Sequence, residues 1–287
     1  MSTAATSRTP VDRAAVLGRV VADLAAESQE LDTLLGDLTA ADWSRPTPAA
    51  GWSILDQVTH LAFFDDATVL ALTDRDAFLR QRSQLLALGD GFPDVVAERH
   101  RHLDGARCRE WAARARADLL AAYRAADPAV RLPWFGPDMG VASSATGRLM
   151  ETWAHGQDVR DTLDVPAVPT PRLRHIADLG IRTFAFVHTL RGRSVPDAPV
   201  RVELTGPAGQ PWTWGPAGAT DLVTGDALEF CLVVTQRRNV ADTGLTVTGP
   251  VAESWIPIAQ AFAGAATDPR PAGLFPPRSA PEPPETR

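Results

Sequence analysis

"RLMETWAHGQDVRD" (residues 148–161) decides how the rest of the chain is read. It sets three carboxylates and an imidazole into a stretch otherwise suited to a helix. On a helix, residues three or four apart share a face. Arg148, Glu151, His155 and Asp158 are spaced three, four and three, so all four point the same way. Glu151 and His155 lie one turn apart and can reach one cation. A carboxylate oxygen and a neutral imidazole nitrogen each bind zinc at about 2.0–2.2 Å. A third donor must come from elsewhere, and His60 is the candidate. It stands in "DQVTHLAFFDD" (56–66), among apolar neighbours that give no reason for a polar ring. The plain alternative is a core histidine with a hydrogen-bond partner, beside a Glu/His pair of a kind frequent on solvated helices. Spacing alone leaves both readings open.

Outward from this stretch the first half reads as helices. Residues 11–42 alternate apolar and polar positions with helical spacing. "RPTPAAGW" (45–52) breaks the pattern with two prolines and a glycine. A second helix opens at Ser53, where Asp56 three residues on completes a capping-box pattern. Residues 76–107 are more charged and less regular, and residues 109–126 form a further helix. Residues 127–140 read as a loop with three prolines and two glycines. Ser143 or Ser144 can cap the helix that carries Glu151 and His155, which runs to about Leu163. "VPAVPTP" (165–171) ends it, and residues 172–192 predict one more helix.

The character then changes. "VRVELTG" (200–206) alternates as a strand does, and "QPWTWGP" (210–216) can pair with it through Pro-Ala-Gly. Residues 226–238 read as an apolar helix, 244–249 as a strand and 251–264 as a last helix. The fold class is therefore α+β: a helical bundle over 1–195, then a small mixed domain over 196–267. The tail, 268–287, holds seven prolines in twenty residues and is expected to be disordered.

Composition narrows the chemistry. All 28 basic residues are Arg, which excludes a Schiff-base lysine and a Walker-type phosphate loop. The net charge of −7 gives no global field favouring nucleic acid. No apolar run approaches the roughly 20 residues that span a bilayer, and no signal pattern opens the chain. A cytoplasmic protein without membrane partners is expected. Cys108 and Cys231 are too few for a zinc ribbon and read as buried, inert thiols. If thiol chemistry occurs, the thiol arrives with a cosubstrate.

"GWSILDQVTHLAFFDD" (51–66) followed by "RLMETWAHGQDVRDTL" (148–163) resembles the mycothiol-dependent maleylpyruvate isomerase family. That family belongs to the DinB-like metal-binding four-helix bundles. The pattern falls on Gly51, Trp52, Asp56 and His60, then on Arg148, Glu151, His155 and Asp158, without departure. The resemblance covers roughly residues 11–192, and the second domain is similar to the family's sterol-carrier-like C-terminal domain. It implies that His60, Glu151 and His155 bind zinc or another divalent metal. Three protein ligands leave a position open for water or substrate. It also implies mycothiol as thiol cosubstrate and an electrophilic small molecule as substrate. The outcome is cis–trans isomerisation or S-transfer.

Other roles are expectations of the same kind. Asp158 is a catalytic candidate or a polar group orienting a ligand; a plain ion pair is the alternative. Arg148 is expected at the cofactor, holding Glu151 or a carboxylate, with a structural ion pair as its alternative. Arg237 and Arg238 end the helix predicted over 226–238, where the helix dipole favours cations. The functional alternative is that Arg237 binds the cosubstrate and Arg238 a substrate carboxylate. Trp52 and Trp153 read as packing residues, and His100, His102, His175 and His188 as surface or structural. Two rivals stay open: a hydrolase using zinc-bound water with Asp158 as base, and a non-catalytic ligand-binding protein stabilised by metal. A homodimer is left open.

Overall fold

The computed structural model describes residues 12–275. The chain is α+β and divides into two compact units, one ending at His155 and the other beginning at Gly156. The first unit is a four-helix bundle with two short helices added. Helix α1 (Arg13–Gly36) begins where the Asp12 carboxylate accepts from the amides of Ala14 and Ala15. Helix α2 (Ile54–Thr73) opens on the expected capping box. The Ser53 side chain accepts from the Asp56 amide, and the Asp56 carboxylate accepts from the Ser53 amide. These reciprocal bonds satisfy amides that the helix leaves unpaired. Residues 76–107 resolve into α3 (Arg75–Leu86) and α4 (Phe92–His100), both packed beside α2. Helix α5 (Gly105–Ala125) lies against α1 and α2.

Residues 127–140 contain a small hairpin, β1 (Arg131–Leu132) against β2 (Met139–Gly140), where a plain loop was expected. Helix α6 (Val141–Leu163) follows at once, so neither Ser143 nor Ser144 caps it. Ser144 is instead buried inside the helix, hydrogen-bonded to the Tyr123 hydroxyl at 2.8 Å. The bundle core is built from the apolar stripes of α1 (Leu17, Val20, Leu24), α2 (Ile54, Val58), α5 (Ala115, Leu119) and α6 (Leu149).

The second unit takes the end of α6, α7 (Leu173–Arg182) and α8 (Phe184–Leu190). The single helix expected over 172–192 is thus two. Thr183 lies at φ −82°, ψ 1°, and its hydroxyl donates to the Gly180 carbonyl at 2.9 Å. A four-stranded sheet follows in the order β4-β3-β5-β6: β3 Val200–Thr205, β4 Pro211–Trp214, β5 Asp221–Asp226 and β6 Thr246–Thr248. Strands β3 and β4 pair antiparallel across the Pro-Ala-Gly turn, as expected. Strand β5 was not expected; it pairs parallel to β3, with Val223 beside Val202. Helix α9 (Ala227–Val234) is buried and packs on α7. There a Cβ on Gly180 would lie 2.7 Å from Val234 Cγ2, so the glycine permits the close approach. Helix α10 (Pro250–Trp255) is capped by Asp221, whose Oδ1 accepts from the amides of Val251 and Ala252.

The change of character near 193–199 therefore marks where helices give way to strands, and the compact units part earlier, inside α6. The physical reason is ionic. Asp158 and Asp161 on the end of α6 pair with Arg237, Arg238 and Arg270, all within the second unit. Residues 268–275, expected to belong to a disordered tail, are bonded to the second unit. The Gln236 amide donates to the Thr267 carbonyl at 3.0 Å, Asp242 accepts from the Gly273 amide at 2.7 Å, and Phe275 lies under Arg238. Residues 276–287 lie outside the described residues.

Candidate metal centre

Helices α2 and α6 bring His60, Glu151 and His155 together. Each offers one donor atom, and these atoms all lie within 4.8 Å of one another. Nε2 of His155 is 3.1 Å from Glu151 Oε2, and Nε2 of His60 is 3.7 Å from the same oxygen. The two imidazole rings are 4.4 Å apart, centre to centre.

A hydrogen-bond chain fixes how His155 presents itself. The Thr47 hydroxyl donates to the Trp52 carbonyl at 2.9 Å, so it accepts from the Gln57 amide nitrogen, 2.8 Å away. Gln57 Oε1 is thereby turned to His155 and accepts from its Nδ1. A neutral His155 must then direct the lone pair of Nε2 at the Glu151 carboxylate. Two electron-pair donors at 3.1 Å need a shared cation between them, a proton or a metal ion. An orienting partner on the far nitrogen is what metal-binding histidines ordinarily have.

Burial, with His155 close by, pushes the His60 imidazole down to about 3, so it is an uncharged donor at neutral pH. Burial alone would raise Glu151. The facing imidazoles of His155 and His60 outweigh it and hold the carboxyl well below the usual range. As ligands, one carboxylate and two imidazoles in their neutral form suit a divalent cation and leave it with net positive charge. Trp52 covers the site: its ring stacks on His155 at 5.9 Å and 16°, and its indole N–H donates to Asp94 on α4 at 2.7 Å. Phe64, one turn beyond His60, packs on that ring at 4.6 Å.

The other expected site residues have partners of their own. Arg148, expected either at the cofactor or in a structural ion pair, makes the ion pair. Its Nη2 lies 2.8 Å from Asp65 Oδ1, it donates to the Leu61 carbonyl, and it is buried. Arg116 grips the other Asp65 oxygen at 2.6 Å and also reaches Ser28 and Thr152. Asp158, expected as catalytic, is 0% exposed, with Arg237 at 3.1 Å and Arg270 also on its carboxylate. Arg238 forms a two-pronged pair with Asp161, both contacts at 2.7 Å. Neither arginine belongs to a helix end, because α9 stops at Val234. Gln236 adopts φ 59°, and the amides of Arg237 and Arg238 both return to the Leu232 carbonyl. These groups form an ionic cluster that holds the second unit together.

Sequence reading missed Gln57, Asp65, Arg116, Asp161 and Arg270. Gln57, Asp65 and Arg116 did leave a signal, a polar residue at a buried helical position. The thiols are as expected: both cysteines are buried, and burial pushes Cys108 up to about 12 and Cys231 well above the ordinary thiol value.

Fold and site define a helical-bundle protein whose interior gathers two histidines and a glutamate around one point, followed by a small α+β region. Comparison with known proteins agrees. Residues 24–160 match the family model for the mycothiol maleylpyruvate isomerase N-terminal domain. The crystal structure of the mycothiol-dependent maleylpyruvate isomerase superposes with a TM-score of 0.54 at 14% identity, over 80% of this chain and 92% of that one. A histidine-to-alanine mutant of that enzyme matches equally. The chain belongs to the mycothiol-dependent maleylpyruvate isomerase family. Two uncharacterized proteins from two strains of Mycobacterium tuberculosis are 43% identical to it over 258 residues, 86% of this chain and 96% of each relative. Residues 196–247 match a model described as wyosine base formation, where a sterol-carrier-like domain was expected.

Proposed function

We propose that the chain is a metal-dependent enzyme that uses a low-molecular-weight thiol, mycothiol in the first instance, against an electrophilic small molecule, as an isomerase or S-transferase. The observation that carries this reading is the convergence of His60, Glu151 and His155 with the lone pair of His155 aimed by Gln57. Zinc is the expected ion, and the chemistry it supplies when bound is positive charge that favours a thiolate over the thiol, whose ordinary pKa is about 8.5. The chain's own residues hold and shield that charge. Glu151 contributes a single negative charge, and the histidines contribute none. Trp52 and Phe64 flank the imidazoles. The chain's own cysteines stay protonated and buried, so the reacting sulfur comes from outside.

The rival readings have less behind them. The base expected for a hydrolase, Asp158, is buried under two guanidiniums. A structural zinc has four protein ligands, and the donor group among the described residues has three. No helix among the described residues is long and apolar enough to cross a membrane. The test is zinc analysis of the purified chain followed by turnover of candidate electrophiles with and without thiol. Zinc together with thiol-dependent turnover is expected; turnover that needs no thiol would overturn the proposal.

A further inference from the structure

We infer that the substrate presents a flat, apolar group, aryl or extended unsaturated, rather than two carboxylates. This rests on the metal-and-thiol reading and assigns Phe63, Trp134 and Phe135 as the residues that select the substrate.

Phe63 and Phe64 stand three and four residues after His60, so they share its face of α2. Phe64 touches the His60 ring and belongs to a buried cluster with Leu85, Phe92 and Val96. On that cluster lie three aromatic rings that remain partly exposed: Phe63, Trp134 and Phe135. Trp134 and Phe135 occupy the tip of the β1–β2 hairpin, a position where polar residues are the rule. Phe135 sits 5.5 Å from Phe64 and 5.2 Å from Phe92, and Trp134 stacks on Phe78 at 5.9 Å and 8°. Phe64 thus joins the His60 ring to two large rings that the hairpin carries to its tip and leaves partly covered. Flat rings bind such aromatic groups edge-to-face or offset-stacked.

The complementary observation concerns charge. A dicarboxylate calls for guanidiniums with open donor pairs. Three arginines bond to α2, the helix that carries His60, and all three are engaged there: Arg148 and Arg116 on Asp65, and Arg101 on Asp56 and the Gly51 carbonyl. The expected carboxylate-binding pair, Arg237 and Arg238, closes on Asp158 and Asp161.

The experiment is calorimetric titration of the full chain, zinc-loaded and metal-free, with benzylideneacetone, a neutral phenyl enone, and separately with maleate, both without thiol. Benzylideneacetone is expected to bind at least tenfold more tightly than maleate in the zinc-loaded protein. Phe135→Ala should weaken the enone at least fivefold with zinc content and circular dichroism unchanged. Phe63→Leu carries the same expectation if Phe135→Ala fails to fold. Maleate binding as tightly as the enone, or enone affinity unmoved by the substitutions, would overturn the inference. Failure of the underlying reading is separate, because it appears as absence of zinc from the loaded wild-type chain. The ligand preference is still measured on the metal-free protein.

Discussion

Replacing Gln57 with Leu removes the oxygen that accepts from His155 Nδ1 while keeping the side chain's bulk. Gln57 is 0% exposed, so no bulk water replaces the lost oxygen. Losing that hydrogen bond in a buried place costs about 1–3 kcal/mol. The ring can escape that cost only by changing tautomer, which puts a proton on the nitrogen that faces Glu151. Either way the donor set is weakened. Loss of such orienting partners typically reduces metal affinity by about 10–100-fold, which is about 1.4–2.8 kcal/mol. Competition for zinc against a chromogenic chelator measures this directly, with circular dichroism to confirm the fold. Gln57→Glu keeps an acceptor on the same atom and should lie nearer the wild type than Gln57→Leu. A Gln57→Leu variant that holds zinc as tightly as the wild type would refute the reasoning from tautomer to metal affinity.

Asp65→Asn removes the carboxylate that the buried guanidiniums of Arg116 and Arg148 share. Stripping one partner from a buried pair costs about 3–5 kcal/mol, so thermal denaturation should show Tm lowered by about 6–20 °C. A fall below about 3 °C would mean the pair is not structural. Arg238→Ala should lower Tm with zinc content unchanged, since its partner is Asp161. Loss of turnover at constant Tm would instead restore it as a substrate-binding residue. Cys108 and Cys231 should resist iodoacetamide in the native chain and react only on unfolding, which mass spectrometry reads. Labelling under native conditions would contradict their burial.

Much of this was legible in the sequence, for reasons that can be named. The capping box at Ser53 and the three-four-three spacing of Arg148, Glu151, His155 and Asp158 are local signals, and helical geometry converts them into positions. The donor triad was legible because its parts sit one turn apart on α6 and at an anomalous polar position on α2. Strand β5 was not legible: "DLVTGD" is short and ends in turn residues, and its identity depends on pairing with β3 from the far side. The break at Thr183 was hidden because residues 172–192 keep apolar periodicity across it. The roles of Asp158, Arg148 and the Arg237/Arg238 pair stayed open between ion pairs and ligand contacts for one reason. Sequence shows which face a charge lies on, but not the partner that neutralises it. Asp65 is 83 residues from Arg148, and Arg270 is 112 from Asp158.

The most direct measurement is the zinc content of the purified full chain, by elemental analysis, in the wild type and in His60→Ala, His155→Ala and Trp153→Phe. A three-ligand site predicts about one zinc per chain in the wild type and in Trp153→Phe, and an empty site in both histidine variants. Full occupancy in either histidine variant would contradict the assignment of the triad as the metal centre.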